Sequence, residues 1–251
     1  MKQRATVTGI GAVNADDPLG TLADACRILS AKGHMASLAG QITWRDASRR
    51  GYWTPALGTN FADATTASLV LVDDELNVLE GAGRPNPAVR FHAWVYRHRP
   101  DVHAIVHTHP RHISALSMLG VPLPVAHMDA CMFHDDCGFL EDWPGVPIDD
   151  EEGRIITAAL GARRSALLVN HGYICACASV EESVYMAVSM ENAAELALLA
   201  MAAGTIKPVR ADLAQAAHDF LLQPSIVNAT FAYWLEQAEQ RPRRDPDAAA
   251  G

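Results

Sequence analysis

The chain has 251 residues, of which 49% are hydrophobic, and a net charge of −9, enough for one large domain with a sizeable core. The acidic balance and the lack of a basic stripe argue against a nucleic-acid partner. Residues 1–17 lack an apolar signal core and no run reads as membrane-spanning, so a cytoplasmic protein without a membrane partner is expected, its five cysteines kept as free thiols.

In chain order, residues 1–17 read as a flexible arm. Residues 18–33 read as a helix, with an apolar stripe of Leu19, Leu22, Ala23, Cys26, Ile28 and Leu29 and a stop at Gly33. Two strands are expected over 38–45 and 51–54, joined by a polar turn at 46–50, then a loop over 54–60. Residues 68–72 and 76–80 read as a hairpin-like pair around Asp73-Asp74. Asn86 reads as a cap with Pro87 in the first turn of a helix running to about His98, which puts Ala88 and His92 on one face. His98 and His103 read as exposed or loop residues.

The stretch Val102-His-Ala-Ile-Val-His-Thr-His-Pro-Arg-His112 carries the chemistry. Small and branched apolar residues fill a buried strand up to His107-Thr108-His109, and Pro110 suits the first turn of the helix that follows. Two histidines one residue apart in an extended segment point the same way, so His107 and His109 can reach one ion. Ser165-Ala-Leu-Leu-Val repeats that grammar and surfaces at Asn170-His171-Gly172, offering a third imidazole. Three neutral imidazoles leave positions open for water or substrate, the layout of a catalytic site. Between the two strands, His127 and Asp129 alternate about Met128; in an extended segment they would share a face, with Asp129 placed to orient an imidazole. His134, Asp135 and Asp136 read as a solvated loop cluster. Residues 149–161 read as a helix capped by Asp149 or Asp150, and 172–177 as a strand beside the second metal strand. A long helix over 180–201 opens with a Ser179/Glu182 capping box, its apolar stripe read as core. One or two helices interrupted near Pro224 are expected over 211–240, then a disordered tail at 241–251.

His107-Thr-His-Pro and Leu167-Leu-Val-Asn-His-Gly172, with Gly40-Gln-Ile-Thr-Trp-Arg45, Thr54-Pro55 before Gly58, and Arg84-Pro-Asn-Pro-Ala-Val-Arg-Phe-His92, resemble the ordered motifs of the class II aldolase/adducin family over roughly residues 18–205. The resemblance implies a single α/β domain over 18–240 with a mixed central sheet and helices on both faces. It also implies a homotetramer with the metal near a subunit interface and a small-molecule substrate. His107, His109 and His171 would hold one divalent ion (zinc, manganese, iron or cobalt), with His92, His127 and Asp129 as candidate catalytic residues.

Two departures from the family pattern shape the expected activity. The family's aldolases carry a glutamate, proton donor and metal ligand, nineteen residues before the first histidine of His-x-His; here that position is Ala88. Two serines that serve a sugar phosphate become Asn86 and Pro87, and proline has no N–H to offer an anion. The expectation is therefore a divalent-metal-dependent lyase that decarboxylates, or cleaves by retro-aldol chemistry, a small unphosphorylated hydroxy/keto or hydroxy-aromatic acid through a metal-stabilised enolate. The alternatives are a non-haem Fe(II) oxygenase, a sugar-phosphate aldolase and a non-catalytic adducin-like protein.

Overall fold

The computed structural model describes residues 17–35, 38–46, 48, 50–143, 145 and 150–240; the expected arm up to residue 16, Asp149 and the tail 241–251 lie outside them. Helix α1 (Pro18–Ala31) starts where the Asp17 carboxylate accepts from Gly20 N and turns its apolar stripe inward. Strands β1 (Gln41–Arg45), β2 (Tyr52–Pro55), β3 (Leu69–Val72) and β4 (Val78–Glu80) follow. The first begins three residues later than expected, leaving Leu38 exposed. The β3–β4 hairpin closes as the sequence indicates, with Asp73 accepting from the Glu75 and Asn77 amides.

Helix α2 (Val89–His98) also starts late. Asn86 Oδ1 accepts from Ala88 N, but residues 86–88 form a tighter turn whose carbonyls bond three residues ahead before regular helix begins. Then come β5 (Ala104–Thr108), α3 (Arg111–Ser117), β6 (Cys137–Leu140), α4 (Glu151–Leu160), β7 (Ser165–Leu168), β8 (Gly172–Cys177), α5 (Val180–Ala203), α6 (Ala211–Leu221) and α7 (Pro224–Glu239). The break between the last two falls at Pro224, whose fixed φ suits a first turn.

The eight strands make one mixed sheet in the order β4-β3-β2-β1-β5-β8-β7-β6, antiparallel except for β6 and β7. Alternation along β5 divides the core. Ala104 and Val106 join α1, α3, α5 and α7 on one face; Ile105 joins Phe91, Val95 and Tyr96 of α2 and Ile156 and Leu160 of α4 on the other. Burying each large side chain contributes about 1.5–3 kcal/mol, so the sheet is anchored from both sides and its central strand is the most constrained.

Helix α5 corrects one sequence expectation. Its 24 residues have a mean hydropathy of 1.3 in the most apolar window, long and apolar enough to span a bilayer by length and composition alone. Val184, Met186, Ala187, Met190 and Ala194 are instead buried against the sheet and α1, α3 and α7. A second correction concerns Asp136. It is only 9% exposed, because Arg164, 28 residues away, donates to it from both its backbone amide and its guanidinium.

Candidate metal centre

The centre lies at one end of the sheet. His107 is the penultimate residue of β5, which is paired on both sides: Gln41 of β1 opposes it on one side and Ile174 of β8 on the other. It is 2% exposed. Its Nδ1 lies 3.0 Å from the Tyr173 carbonyl, so Nδ1–H donates there and the Nε2 lone pair is turned away from the sheet. Pro110 ends the strand and caps α3, projecting His109 back so that its Nε2 is 2.8 Å from His107 Nε2. His171 sits in the β7–β8 turn, after Asn170 in the left-handed conformation (φ 54°). Gly172 allows the turn to approach: a Cβ there would overlap the His109 ring and lie 2.8 Å from the Thr108 carbonyl.

One ligand atom from each of the three histidines lies within 4.8 Å of the others, and the ring centroids are 4.7–4.9 Å apart. Burial lowers all three pKa values, His107 well below the usual range and His171 to about 4, with neighbouring imidazoles adding to the shift of His107 and His171. At neutral pH the set is uncharged, the form in which imidazole ligates a metal. One hydrogen bond between two of the rings cannot satisfy three converging nitrogens. Three neutral imidazoles converging on one point are a donor set of the kind that binds a divalent ion. The donor set therefore fits such an ion with open coordination positions.

Supporting contacts reach the centre from distant parts of the chain. Glu191 of α5 accepts from His112 N at 3.0 Å, Ile113 N at 2.9 Å and His112 Nδ1 at 2.8 Å, which pins the turn after His109. Behind the strand, buried His34 is bonded to Thr108 Oγ1 at 2.9 Å. Sequence reasoning missed both. The only local signal for Glu191 was a carboxylate within an apolar helix.

His92 is fully buried and outside the three-histidine group. Its Nδ1 is 2.9 Å from Thr43 Oγ1, which also bonds the Tyr96 hydroxyl, while its Nε2 is buried with no partner. Phe91 stands edge-on to both His92 and His107. Burial lowers the His92 pKa to about 3. The structure does not bring His127 and Asp129 to the three histidines within this chain. They are exposed, and the segment is not extended: Met128 is helical (φ −53°, ψ −49°) at the entry to a 3-10 turn, so His127 Nδ1 accepts from Asp129 N at 3.3 Å. His127 lines a separate, mostly apolar cavity of about 360 Å³ with Pro124, Leu196 and Lys207.

Asn86, at one of the two positions where the family's aldolases carry phosphate serines, lines with Gln41 and Thr54 a cavity of about 20 Å³. Their polar groups are used internally. Asn86 donates to the Leu38 carbonyl and accepts from Ala88 N, and Thr54 donates to the Ile42 carbonyl. Gln41 Oε1 is buried there without a partner.

A mixed α/β sheet that turns three neutral imidazoles toward one point is a fold of the class II aldolase type with a histidine triad that could hold a metal. Residues 20–198 match the model of the Class II Aldolase and Adducin N-terminal domain, and the chain belongs to that family. It is 33% identical over 181 residues to a "4-hydroxy-3-prenylphenylpyruvate oxygenase/4-hydroxy-3-prenylbenzoate synthase" of Streptomyces roseochromogenus subsp. oscitans, covering 71% of this chain and 65% of that one. It is likewise 33% identical to "Decarboxylase NovR" of Streptomyces niveus, covering 71% and 67%. The chain thus spans about two thirds of the length of these relatives. Among solved structures, an L-fuculose 1-phosphate aldolase from Glaciozyma antarctica PI12 superposes with a TM-score of 0.81 at 26% identity, covering 94% of each chain.

Proposed function

We propose that the chain is a divalent-metal-dependent lyase that breaks a C–C bond in a small, unphosphorylated carboxylic acid bearing an adjacent hydroxyl or keto oxygen. Decarboxylation is favoured over retro-aldol cleavage. The observation that carries this is the convergence of His107, His109 and His171 beside a helix whose position 88 is alanine. A divalent ion held there supplies Lewis-acid stabilisation of negative charge developing on a substrate oxygen. Aldol chemistry needs a positioned acid/base at the reacting carbon, which Ala88 cannot provide. Loss of CO2 generates the carbanion directly and needs only a proton afterwards.

The chain's own residues would act as follows. The Tyr173 carbonyl holds the His107 ring, and Glu191 holds the backbone turn that follows His109. His92, kept neutral and anchored on Thr43, presents its free Nε2 as a proton or hydrogen-bond acceptor, taking over part of the task of the missing glutamate. Asn86 and Pro87 stand where the family's phosphate serines would be, and Asn86 is bonded within the chain, so sugar phosphates should be turned over poorly. His127 and Asp129 would reach a site only across the interface of a homotetramer, where they contribute to a neighbour's pocket wall.

A second reading is kept because one relative is named an oxygenase: three imidazoles with open positions also suit Fe(II). Incubating the Zn(II)-, Mn(II)- and Fe(II)-loaded protein with a panel of hydroxy, keto and hydroxy-aromatic acids, while following CO2 release and O2 uptake together, decides between them. CO2 without O2 uptake is the expected result. Coupled O2 uptake transfers the assignment to the oxygenase, and efficient cleavage of a ketose 1-phosphate restores the sugar-phosphate aldolase.

A further inference from the structure

One buried side chain at the metal end of the sheet is only half satisfied. Gln41, the first residue of β1, is 3% exposed. Its Nε2 donates to the Ala39 carbonyl at 2.7 Å. A carbonyl only accepts, so this bond fixes which way the amide is turned and leaves its oxygen on the other side. Oε1 is buried and, among the described residues, has no hydrogen-bond partner. An acceptor left unpaired in a protein interior costs stability and calls for an explanation.

The register of the sheet supplies one. Gln41 lies directly opposite His107 in the antiparallel β1–β5 pair. Opposed residues in such a pair point to the same face, with Cβ atoms about 4.5–5.5 Å apart. It is the face that α2 covers, since two residues along β1 Thr43 is bonded to His92. A small molecule held at the three histidines is therefore within reach of Gln41. Gln41 also lines a cavity with Met35, Leu38, Thr54, Phe61 and Asn86. Thr54 donates to the Ile42 carbonyl, and Asn86 donates to the Leu38 carbonyl and accepts from the Ala88 amide, so neither side chain awaits a ligand. None of the described lining residues carries a charge. The buried part of the wall thus offers apolar surface and one lone acceptor. Such an acceptor repels a phosphate or carboxylate oxygen. An ammonium group would be buried without a counter-charge, which is costly. A hydroxyl donates its proton and brings no charge.

We propose that Gln41 reads a second hydroxyl on the substrate, its Oε1 accepting from an O–H at the end of the acid remote from the group bound at the three histidines. The proposal rests on the lyase reading above and narrows its substrate to an acid that carries a further, distal hydroxyl. Gln41 determines specificity: it touches the substrate away from the reacting carbon and takes no part in bond breaking. Met35 on the same wall is an adaptable side chain, so the opening can widen for the incoming group. An acid lacking the hydroxyl leaves Oε1 as it is now, buried and unpaired, and binds more weakly for that reason.

The test is titration calorimetry of the Zn(II)-loaded full chain with 2-hydroxy acids in matched pairs, 2-hydroxybutanoate against 2,4-dihydroxybutanoate and 3-phenyllactate against 3-(4-hydroxyphenyl)lactate, which differ only in the distal hydroxyl. The hydroxylated member of at least one pair should bind about 10- to 100-fold tighter, the effect of pairing one buried acceptor. Gln41→Met, close in size and without an oxygen, should keep its zinc and its affinity for the plain acid and lose the preference. Gln41→Asn keeps an amide with shorter reach and is the second variant, to be read if Gln41→Met does not hold zinc; it should weaken the preference. Equal binding within both pairs by the wild type, or a full preference in the zinc-loaded variant, overturns the proposal while the lyase reading stands. Failure of all these acids to bind overturns the hydroxy-acid reading itself and this proposal with it.

Discussion

Two histidine-containing polar clusters sit at different places on the same sheet, and they differ in completeness. In the cluster around Asp136, every charge is answered. Arg164 donates to Asp136 and lies 3.1 Å from Glu182, while His218 bridges Asp136 at 3.3 Å and Asp219 at 2.9 Å. These contacts tie α6 and α5 to the sheet. At the other cluster, ring nitrogens of His107, His109 and His171 converge with one hydrogen bond between two of the rings and no counter-charge among them. Partnered polar groups hold a fold together; convergent unpartnered ones are arranged for something the polypeptide does not supply.

The largest effect is expected at Gly172. Replacing it by Ala forces Cβ against the His109 ring and against the carbonyl of Thr108, which is held by strand pairing with Tyr173. Overpacking of this kind costs about 1–3 kcal/mol, and it falls on two ligands at once. Gly172→Ala should lose most of its bound metal and melt earlier, as read by metal analysis and calorimetry; wild-type metal content would show that the turn has slack. Asp136→Ala is the converse change. It leaves Arg164 and His218 without their shared acceptor and should lower stability by about 1–3 kcal/mol in denaturant titration, with metal stoichiometry unchanged. Metal loss there would mean that the two clusters are coupled.

A smaller effect should come from Glu191→Gln, which weakens the grip on the turn after His109 without emptying the space. Metal affinity should fall about 10- to 100-fold in competition with a chromogenic chelator, with the melting temperature of the metal-free protein little changed. An affinity equal to wild type would reduce Glu191 to an ordinary helix contact. Proton titration gives the mildest test. His34 and His92 have pKa values lowered to about 3 and His171 to about 4 by burial, against about 6.5 when unfolded. Below pH 6.5 the unfolded chain binds more protons than the native one, so native stability is present above that pH and is lost progressively as pH falls toward 4 and 3. The melting temperature of the metal-free protein should therefore decline from pH 7 to pH 4. A flat profile would mean that these rings are not buried as described.

The sequence made the three-histidine site legible because its grammar is local: a buried strand, then a histidine where the strand surfaces, twice. The two-sided sheet was legible for the same reason, since periodicity is a property of neighbouring residues. What escaped depends on long-range approach. Asp136 reads as a surface residue until Arg164, 28 residues on, is folded against it, and Glu191 reads as an oddity in a core helix until α3 presents its amides 79 residues away in sequence. The extended face expected for His127 and Asp129 failed because the chain coils into a 3-10 turn there, which their alternation alone does not reveal.

Everything proposed for the chemistry requires the three histidines to be one metal site. The most direct measurement is metal per chain, after dialysis against a weak chelator, in the wild type and in His107→Ala. The account predicts about one divalent ion per chain in the wild type, by the count of one converging donor set, and almost none in the variant. Full metal retention by His107→Ala would contradict it.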